Sequence, residues 1–294
     1  MLNDILLPDV VLRQSEGYWE SDLHGNSEGR SANAFYFGNR EWAQEYFDAC
    51  HRDAHFKSRW LAAAGGDWTG KVVVDLGCGP GNVFATVGGK PRMLLGVDVA
   101  GGSLALASRI GYTAVLADAA QTPFRSGIAD IVAINASLHH CDDMAAVLRE
   151  GARLVRPNGL LITDHDPQLT AWDYKGVAKL LWDARLWIYR WIRHGFHKSD
   201  TQQTWGLRTE IHHKPGDGVT PEFFRATLEP LGFEVDVHAH NHQIGADAFK
   251  GEVGPAQWKY RLGNLLSGRD PKAPASALSL MCIARRTAPA PELP

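Results

Sequence analysis

The sequence predicts an α/β fold whose strands form a mostly parallel sheet, and three observations support this. Between Lys71 and His165, short apolar runs alternate with stretches of helical periodicity. The runs are apolar throughout rather than at every second position, which is typical of strands covered by helices on both faces. A turn with three glycines, GCGPG at 77–81, joins the first run to the first helix. This alternation favours βαβ units.

The segment before the sheet is expected to cover it. Residues 1–39 are rich in Gly, Asn and Ser and predict irregular structure. Residues 40–63 predict a helix, because their apolar side chains recur on one face, and GGDWTGK then breaks it. We interpret residues 1–67 as an N-terminal helical cap or lid.

From residue 71 the alternation is regular. The predicted strands are 71–76, 92–99, 113–118, 130–135 and 159–165. The predicted helices between them are 81–87, 101–110 and 143–155. Further on, TPEFFRATLEPLGF predicts a helix with a Thr cap and Pro at its first position, while FEVDVHAH and ALSLMCIARR predict two strands.

Two stretches interrupt this pattern and are expected to be insertions. Residues 166–219 include a helix at 174–194 with basic and aromatic side chains. Such a helix can lie on a membrane surface, but it is more often a lid over a substrate pocket. Residues 241–277 contain Gly, Pro and Trp and form the second insertion. Residues 287–294 are expected to be a disordered tail.

The glycine turn indicates a ligand site at the end of the first strand. Glycines permit positive φ and close approach of a ligand, and free N–H groups at a helix start can receive an anion. The spacing G-x-G-x-G differs from the dinucleotide fingerprint G-x-G-x-x-G. Asp75, two residues before the first glycine, would repel a pyrophosphate but suits a cationic ligand. S-adenosylmethionine (SAM) fits, since it carries an amino group, a sulfonium and a carboxylate but no phosphate.

Two further acids end the next two strands. Asp98 could accept hydrogen bonds from both hydroxyls of a ribose, and Asp118 from an adenine amino group. Any one of these aspartates could equally be a turn or cap residue. Three of them, in register with the glycine turn at the edge where open α/β sheets bind ligands, favour one nucleoside site.

With these motifs the sequence resembles the class I SAM-dependent methyltransferases, of the small-molecule, type 11 kind. VVVDLGCGPGN resembles their first motif, GVDVA the ribose motif, ADAAQTPF the adenine motif, and DIVAINASLHHCDD with LREGARLVRPNGLLITD the later ones. The resemblance implies a Rossmann-like sheet of seven strands, the last antiparallel, in a SAM-binding domain at 68–286 with insertions after strands five and six. The cofactor-binding residues that it implies are Asp75, Gly77, Gly79, Asp98, Val99, Asp118, Ala119, Asn135 and His140.

A general base is expected near the strand ends that face the methyl group. SLHHC follows the fourth strand and DHDP the fifth, so His139, His165 and Asp166 are our candidate catalytic residues. Asp166 with Pro167 could equally form a turn. His140 is expected to contact SAM or to order its loop rather than to act as the base.

Histidines are also frequent in the second half of the chain. HAHNH would place three of them on one face of a strand. No H-E-x-x-H or comparable ligand spacing appears, so a polar strand face is the better interpretation and we predict no metal site.

Composition limits the classes of partner that we expect for this chain. The 294-residue chain has a formal net charge of −3, which gives no basic field for nucleic acid or an acidic membrane. Its four cysteines are scattered, which is typical of free thiols in a reducing compartment, and no signal peptide is recognisable. We expect a cytoplasmic protein without nucleic-acid or stable membrane partners. The oligomeric state stays open, with a homodimer included.

These observations predict a biosynthetic methyltransferase that acts on a small, partly apolar molecule, with the acceptor atom (O, N or C) unresolved. Aromatic accessory helices favour such a substrate over a macromolecule. The alternatives are an enzyme of this fold that binds SAM for another reaction, such as a cyclisation, and a non-catalytic SAM-binding protein. A nicotinamide dehydrogenase is disfavoured by the charge of Asp75.

Overall fold

A mixed β-sheet organises the structure, a computed structural model that describes residues 2–21, 27–192 and 199–288. The strands in these residues are β1 Leu12–Gln14, β2 Trp19–Ser21, β3 Val72–Leu76, β4 Met93–Asp98, β5 Thr113–Leu116, β6 Ala129–Asn135, β7 Val155–Pro167, β8 Phe233–His240 and β9 Ser279–Arg286. Their order across the sheet is β1-β2-β5-β4-β3-β6-β7-β9-β8.

The centre of the sheet is parallel. β3 pairs in parallel with β4 and β6, whereas β9 is antiparallel to both β7 and β8. The predicted Rossmann-like α/β sheet with an antiparallel last strand is therefore confirmed. The predicted strand count of seven is wrong, because β1 and β2 extend the sheet to nine strands. β2 pairs in parallel with β5 and covers backbone groups that an edge strand would expose.

Helices of various lengths connect and flank these strands. Within the described residues they are α1 Glu28–Tyr36, α2 Arg40–Ala49, α3 Ala54–Ala64, α4 Asn82–Val87, α5 Gly101–Arg109, α6 Met144–Leu154, α7 Gly176–Ile192, α8 Asp200–Thr209, α9 Pro221–Leu228 and α10 Trp258–Leu266. Thr220 caps α9 and Pro221 is its first residue, as the sequence predicted.

The N-terminal segment is more regular than predicted. Residues 1–39, expected to be irregular, contain β1, β2 and α1, and the single helix expected at 40–63 is two helices. α2 ends before Cys50, and the Asp53 side chain accepts hydrogen bonds from the first N–H groups of α3. His51, between the two helices, has a φ of 56° and turns the chain. After this turn α3 packs against the sheet, whereas α2 packs against α5.

Apolar side chains fill both faces of the sheet. Val74 of β3 packs on one face with Leu148 of α6, and Val73 packs on the other with Trp60 of α3. All five residues of β3 are buried. This two-sided burial explains why the strand sequence is apolar throughout rather than alternating.

The insertions form a layer of their own. α7 packs against α10, and Trp182 and Tyr260 join a small cluster with Trp172. Three tryptophans of the two helices α7 and α10 lie on the surface: Trp187 is 75% exposed, Trp191 82% and Trp258 77%. In the described part of the chain, no helix combines the length and the apolarity needed to cross a membrane. Residues 193–198, which include the end of the predicted helix, and 289–294 of the predicted tail lie outside the described residues.

Candidate functional site

A cleft opens at the carboxyl edge of the parallel strands. One wall is formed by residues that follow β3, β4, β5 and β6, and the other by α1, α2 and the turn after α2. The structure brings together most of the predicted cofactor-binding residues here, namely Gly77, Gly79, Asp98, Val99, Asp118, Ala119, Asn135 and His140. Among the described residues of α7 none lines the cleft, and the roles of residues 166–219 and of the N-terminal segment as covers stay predictions.

The glycine loop presents bare backbone to the cleft. Gly77 has a φ of 68° and Gly79 a φ of 52°. A Cβ on Gly77 would collide with Oγ of Ser137, so the loop can pack there only as glycine. A Cβ on Gly79 would meet no protein atom within 4 Å. The space over Gly79 is therefore open to a ligand that approaches the main chain closely.

Asp98 and Asp118 face the cleft with acceptor capacity to spare. Oδ2 of Asp98 accepts a hydrogen bond from Gly79 N–H at 2.8 Å, and Oδ1 accepts one from Ala100 N–H at 2.9 Å. Oδ1 of Asp118 accepts one from Ala120 N–H at 2.8 Å. A carboxylate offers about four lone-pair sites, so both side chains can also accept hydroxyl or amino donors of a ligand. Burial raises the pKa of Asp98 above its ordinary value.

Asp75 is placed differently from the other predicted cofactor residues. It is fully buried in β3 and does not line the cleft. Oδ2 accepts a hydrogen bond from the Tyr112 hydroxyl at 2.7 Å, whereas Oδ1 has no hydrogen-bond partner among the described residues. Burial raises the pKa of this carboxyl to about 7. The side chain points from the strand toward Tyr112, and the ligand contact that we expected of Asp75 stays a prediction.

Asn135, at the end of β6, carries an unsatisfied polar atom into the cleft lining. Its Oδ1 is buried and has no hydrogen-bond partner among the described residues. Leaving a buried acceptor unpaired costs roughly 1–3 kcal/mol, so a donor on a ligand would stabilise this site. The amino group of SAM is such a donor, its ribose and adenine match the acceptors of Asp98 and Asp118, and Gly79 leaves room for it. SAM therefore fits the residues present.

The cap supplies a partly aromatic wall. Phe37 from the end of α1, Tyr46 from α2 and His51 from the following turn line the cleft. The Tyr46 hydroxyl lies 2.9 Å from Nε2 of His51. Burial lowers the pKa of His51 well below its ordinary value, so its imidazole is neutral near pH 7.

The cap is tied directly to the glycine loop. Nδ2 of Asn82, the residue after the last loop glycine, donates to the Cys50 carbonyl at 2.7 Å and lies 3.3 Å from that of Phe47. Oγ1 of Thr86 donates to the His51 carbonyl at 2.8 Å. These contacts fix the end of α2 against α4, and thereby hold Tyr46 and His51 at the cleft.

His139 and His140 belong to a set of side chains that we call the Asp166 group, which comprises Asp166, His139, His140, Glu210 and His213. Oδ1 of Asp166 lies 2.8 Å from Nδ1 of His139 and accepts its backbone N–H at 3.1 Å. Nδ1 of His140 lies 2.7 Å from the Thr209 carbonyl. Burial lowers the pKa of His139 and of His140 to about 4 and raises that of Asp166 to about 7. Of this group, His140 lines the cleft.

His165 belongs to a second set, the Asp164 group, which comprises Asp164, Arg59, Trp60, His165, His240 and His242. The Asp164 carboxylate is fully buried and pairs with the Arg59 guanidinium at 3.0 Å. It also accepts hydrogen bonds from Nε1 of Trp60 at 3.1 Å and from the His165 N–H, and lies 2.7 Å from Nε2 of His240. None of these residues is in the cleft lining, but the His165 ring lies 4.4 Å from that of His51.

Two histidines of HAHNH thus have structural partners beside Asp164. Nε2 of His242 lies 2.7 Å from Oγ of Ser279. The third, His238, instead pairs with Asp236 at 2.9 Å and contacts Phe249. The polar strand face that we predicted is therefore mostly buried.

Sequence reasoning did not identify His51 or Tyr46 as cleft residues. Neither lies in a family motif. Their role at the cleft depends on the break between α2 and α3 and on the contacts of Asn82, which join segments about 30 residues apart in sequence. The Asp53 cap was a usable sequence signal for that break.

A mostly parallel sheet with a glycine loop and acids at successive strand ends is a Rossmann-like arrangement that binds a nucleoside at its carboxyl edge, in line with the resemblance to class I SAM-dependent methyltransferases. Residues 74–163 match the family model described as a methyltransferase domain.

Similar proteins agree with this assignment. The ubiquinone biosynthesis O-methyltransferase of Bordetella pertussis is 30% identical over 131 residues, covering 41% of this chain and 53% of the relative. The malonyl-[acyl-carrier protein] O-methyltransferase of Yersinia pestis is 28% identical over 122 residues, covering 41% of this chain and 46% of the relative. The chain thus spans about half the length of the curated relatives it matches.

Solved structures share the fold at low identity. A chain from the Haloferax volcanii complex of the Trm112 methyltransferase activator with a methyltransferase has a TM-score of 0.51 at 17% identity, covering 87% of this chain and 98% of that one. The [4+2]-cyclase SpnF has a TM-score of 0.51 at 13% identity, covering 90% and 98%. At such identities the likeness concerns the fold alone.

Proposed function

We propose that this chain transfers a methyl group from SAM to a small, partly apolar acceptor held between the glycine loop and the N-terminal cap. The observation that carries the proposal is the two-sided cleft. One wall presents bare backbone and carboxylates, and the other presents Phe37, Tyr46 and His51. The first wall suits a polar nucleoside, and the second suits an apolar ring or chain with one polar group.

The first wall would hold the cofactor. Asp98 and Asp118 would accept hydrogen bonds from its ribose and adenine, and Asn135 Oδ1 would accept one from its amino group. When bound, SAM supplies an electrophilic methyl group on its sulfonium. Gly79 and Asp98 are held together by the 2.8 Å hydrogen bond between them, so the backbone and the carboxylate are oriented before a ligand arrives.

The second wall would hold the acceptor and move its proton. A neutral imidazole can accept a proton from a hydroxyl or amine, and burial keeps His51 neutral. The Tyr46 hydroxyl, 2.9 Å from Nε2, orients the ring. Among the predicted catalytic residues, His165 contacts His51 from behind and is proposed as a positioning residue. His139 and Asp166 would act through His140, which is the member of their group at the cleft.

Methyl-labelled SAM provides the primary test. We expect transfer of the label to at least one acceptor in a panel of small hydroxylated, amino and carbon-acid compounds with apolar bodies, together with release of S-adenosylhomocysteine. Conversion of an acceptor while the label stays on the cofactor would contradict methyl transfer and favour a non-methylating SAM enzyme. Binding of S-adenosylhomocysteine without turnover of any compound would contradict it in favour of a binding protein.

The cofactor wall is tested separately by calorimetry. Asp98→Ala removes a carboxylate whose hydrogen bonds to a ligand are worth roughly 1.5–3 kcal/mol, so affinity for S-adenosylhomocysteine should fall about 10- to 100-fold. Asp236→Ala is the matched control, because Asp236 is an exposed aspartate on β8 outside the cleft lining. Equal affinities for the two variants would refute the ribose assignment.

A further inference from the structure

The Asp166 group contains three potential metal ligands in one place. His139, His140 and Glu210 each offer one ligand atom, and these atoms lie within 4.8 Å of one another. The two histidines belong to the turn after β6, whereas Glu210 follows α8 in the first insertion. The insertion therefore brings a carboxylate to two imidazoles that the methyltransferase motif region supplies.

Both imidazoles have their Nδ1 atoms occupied by an acceptor. Nδ1 of His139 lies 2.8 Å from the Asp166 carboxylate, and Nδ1 of His140 lies 2.7 Å from the Thr209 carbonyl. When each Nδ1 donates its hydrogen to that acceptor, the lone pair of the ring lies on Nε2. Histidines that bind metals usually have this arrangement, in which a carboxylate or carbonyl fixes the tautomer and orients the ring.

The third ligand faces the same space. Oε2 of Glu210 is buried and lies 3.6 Å from Nε2 of His139, which is too long for a hydrogen bond. His213 approaches the same oxygen at 2.6 Å while its ring stacks on Trp172. A Glu210–His213 ion pair accounts for that contact. It does not account for the lone pair on His139 Nε2, which would face a carboxylate oxygen unfavourably unless a cation lay between them.

We propose that His139, His140 and Glu210 bind one divalent transition-metal ion at the edge of the cleft. Two imidazoles and one carboxylate are a donor set that leaves coordination positions open and suits zinc, iron, cobalt or manganese more than magnesium or calcium. Asp166 and the Thr209 carbonyl are the supporting partners. The spacing of these residues in the sequence, HH followed by Glu 70 residues later, has no ligand signature, which is why sequence reasoning predicted no metal.

The position of the ion bears on the acceptor. Because His140 lines the cleft, the open coordination positions would be reachable from the space assigned to the acceptor. An acceptor with a hydroxyl or carboxylate oxygen could complete the coordination shell. The role of the ion in acceptor binding rests on the proposed methyl transfer, and it restricts the acceptors to molecules that carry oxygen. Binding of the metal itself does not depend on methyl transfer.

Cobalt(II) is the probe for the site. The full chain is treated with a chelator, dialysed and titrated with Co²⁺, with calorimetry and visible absorption as the two readouts. We expect one Co²⁺ per chain with micromolar or tighter affinity and d–d bands of a low-coordinate site. Glu210→Gln should bind Co²⁺ at least 10-fold more weakly, and Asp166→Asn should weaken binding about 10- to 100-fold through the orientation of His139. His238→Gln, which alters a histidine outside the group, is the control and should match the wild type.

Two outcomes would overturn the proposal: Co²⁺ binding by Glu210→Gln that equals that of His238→Gln, or no saturable binding by the wild-type chain. The melting temperature of the wild type with and without Co²⁺ gives a measurement that needs no variant. It should rise if the folded state binds the ion and stay constant otherwise. S-adenosylhomocysteine binding, measured on the same samples, separates the proposals. Loss of Co²⁺ with intact nucleoside binding refutes the metal site alone, and the reverse refutes the cofactor site alone.

Discussion

Asp164 and Asp166, at the centres of the two groups, lie two residues apart on one strand. They differ in how many hydrogen bonds their carboxylates accept. Regular alternation would direct both side chains to one face of β7. Instead, the pairing of β7 with β9 shifts register between Thr163 and Asp166, and His165 has a φ of 63°. This irregularity sends the two acids to different neighbours, as bulges commonly do beside functional sites.

Donor number distinguishes the roles of the two acids. Asp164 is surrounded by Arg59, Trp60 and His240, together with the backbone N–H of His165. Asp166 accepts on Oδ1 alone, and its Oδ2 has no hydrogen-bond partner among the described residues. A saturated carboxylate has a structural role, whereas one with an unused lone pair can serve a ligand.

The largest effect on stability is expected when Asp164 and Asp166 are each replaced by asparagine and the two variants are compared. Asp164→Asn leaves the fully buried Arg59 without its counter-charge, and we expect a loss of roughly 3–5 kcal/mol in the free energy of unfolding. Asp166→Asn keeps an oxygen that can accept from His139 and should cost about 1 kcal/mol or less. Urea unfolding at pH 7 measures both. Equal losses would remove the distinction between the groups.

A third buried acid, Asp75, is expected to make the stability of the protein depend on pH. Its folded-state pKa of about 7 lies above the ordinary 3.8, so its contribution to stability is fully present below pH 3.8 and is lost as pH rises through 7. The difference amounts to as much as about 4 kcal/mol, from about three pKa units at roughly 1.4 kcal/mol each. Asp75→Asn removes this loss and can still accept from Tyr112. Unfolding from pH 5 to 8 should show the variant gaining on the wild type as pH rises; parallel curves would contradict the buried, near-neutral titration.

Turnover should separate the histidine at the cleft from the one behind it. His51→Gln removes the proposed base and should lower kcat about 100-fold, in line with typical general-base contributions. His165→Gln changes a positioning residue and should lower kcat by less than about 10-fold. Affinity for S-adenosylhomocysteine should be unchanged in both, which calorimetry would verify. A larger effect at His165 would restore the original sequence-based assignment of the base.

The smallest effect is expected at the rim of the saturated group. Ser279→Ala removes the hydroxyl 2.7 Å from Nε2 of His242 and should cost about 1 kcal/mol of stability. Methyl transfer should be unaffected, since neither residue lines the cleft. Thermal melts and kcat measured side by side would test this, and a loss of activity without a loss of stability would mean that the Asp164 group takes part in catalysis.

The sequence was most informative where local patterns determine structure. The central strands and the glycine loop could be predicted because buried parallel strands are apolar throughout and the loop requires positive φ at Gly77 and Gly79. The segments without a family motif were harder. β2 forms by pairing with the edge of β5. The periodicity within residues 1–39 does not reveal that pairing.

The candidate site divides in the same way. Asp98 and Asn135 end strands of the motif region and Asp118 follows one, so these positions predicted their location at the cleft. Asp75 lies outside the cleft lining, and the sequence could not show this because a position in sequence does not reveal which way a buried side chain points. His51 reaches the cleft, and Glu210 reaches His139 and His140, only through tertiary packing of the cap and of the insertion, which no spacing in the sequence encodes.

The contacts of Asn82 have a practical consequence for protein engineering. Its amide reaches the carbonyls at the end of α2, and these hydrogen bonds hold the cap against the glycine loop. A chimera that exchanges residues 1–67 for the cap of a relative would have to carry a compatible partner for position 82. A graft that keeps two backbone carbonyls within reach of the Asn82 amide is therefore expected to keep the cap in place against the cleft.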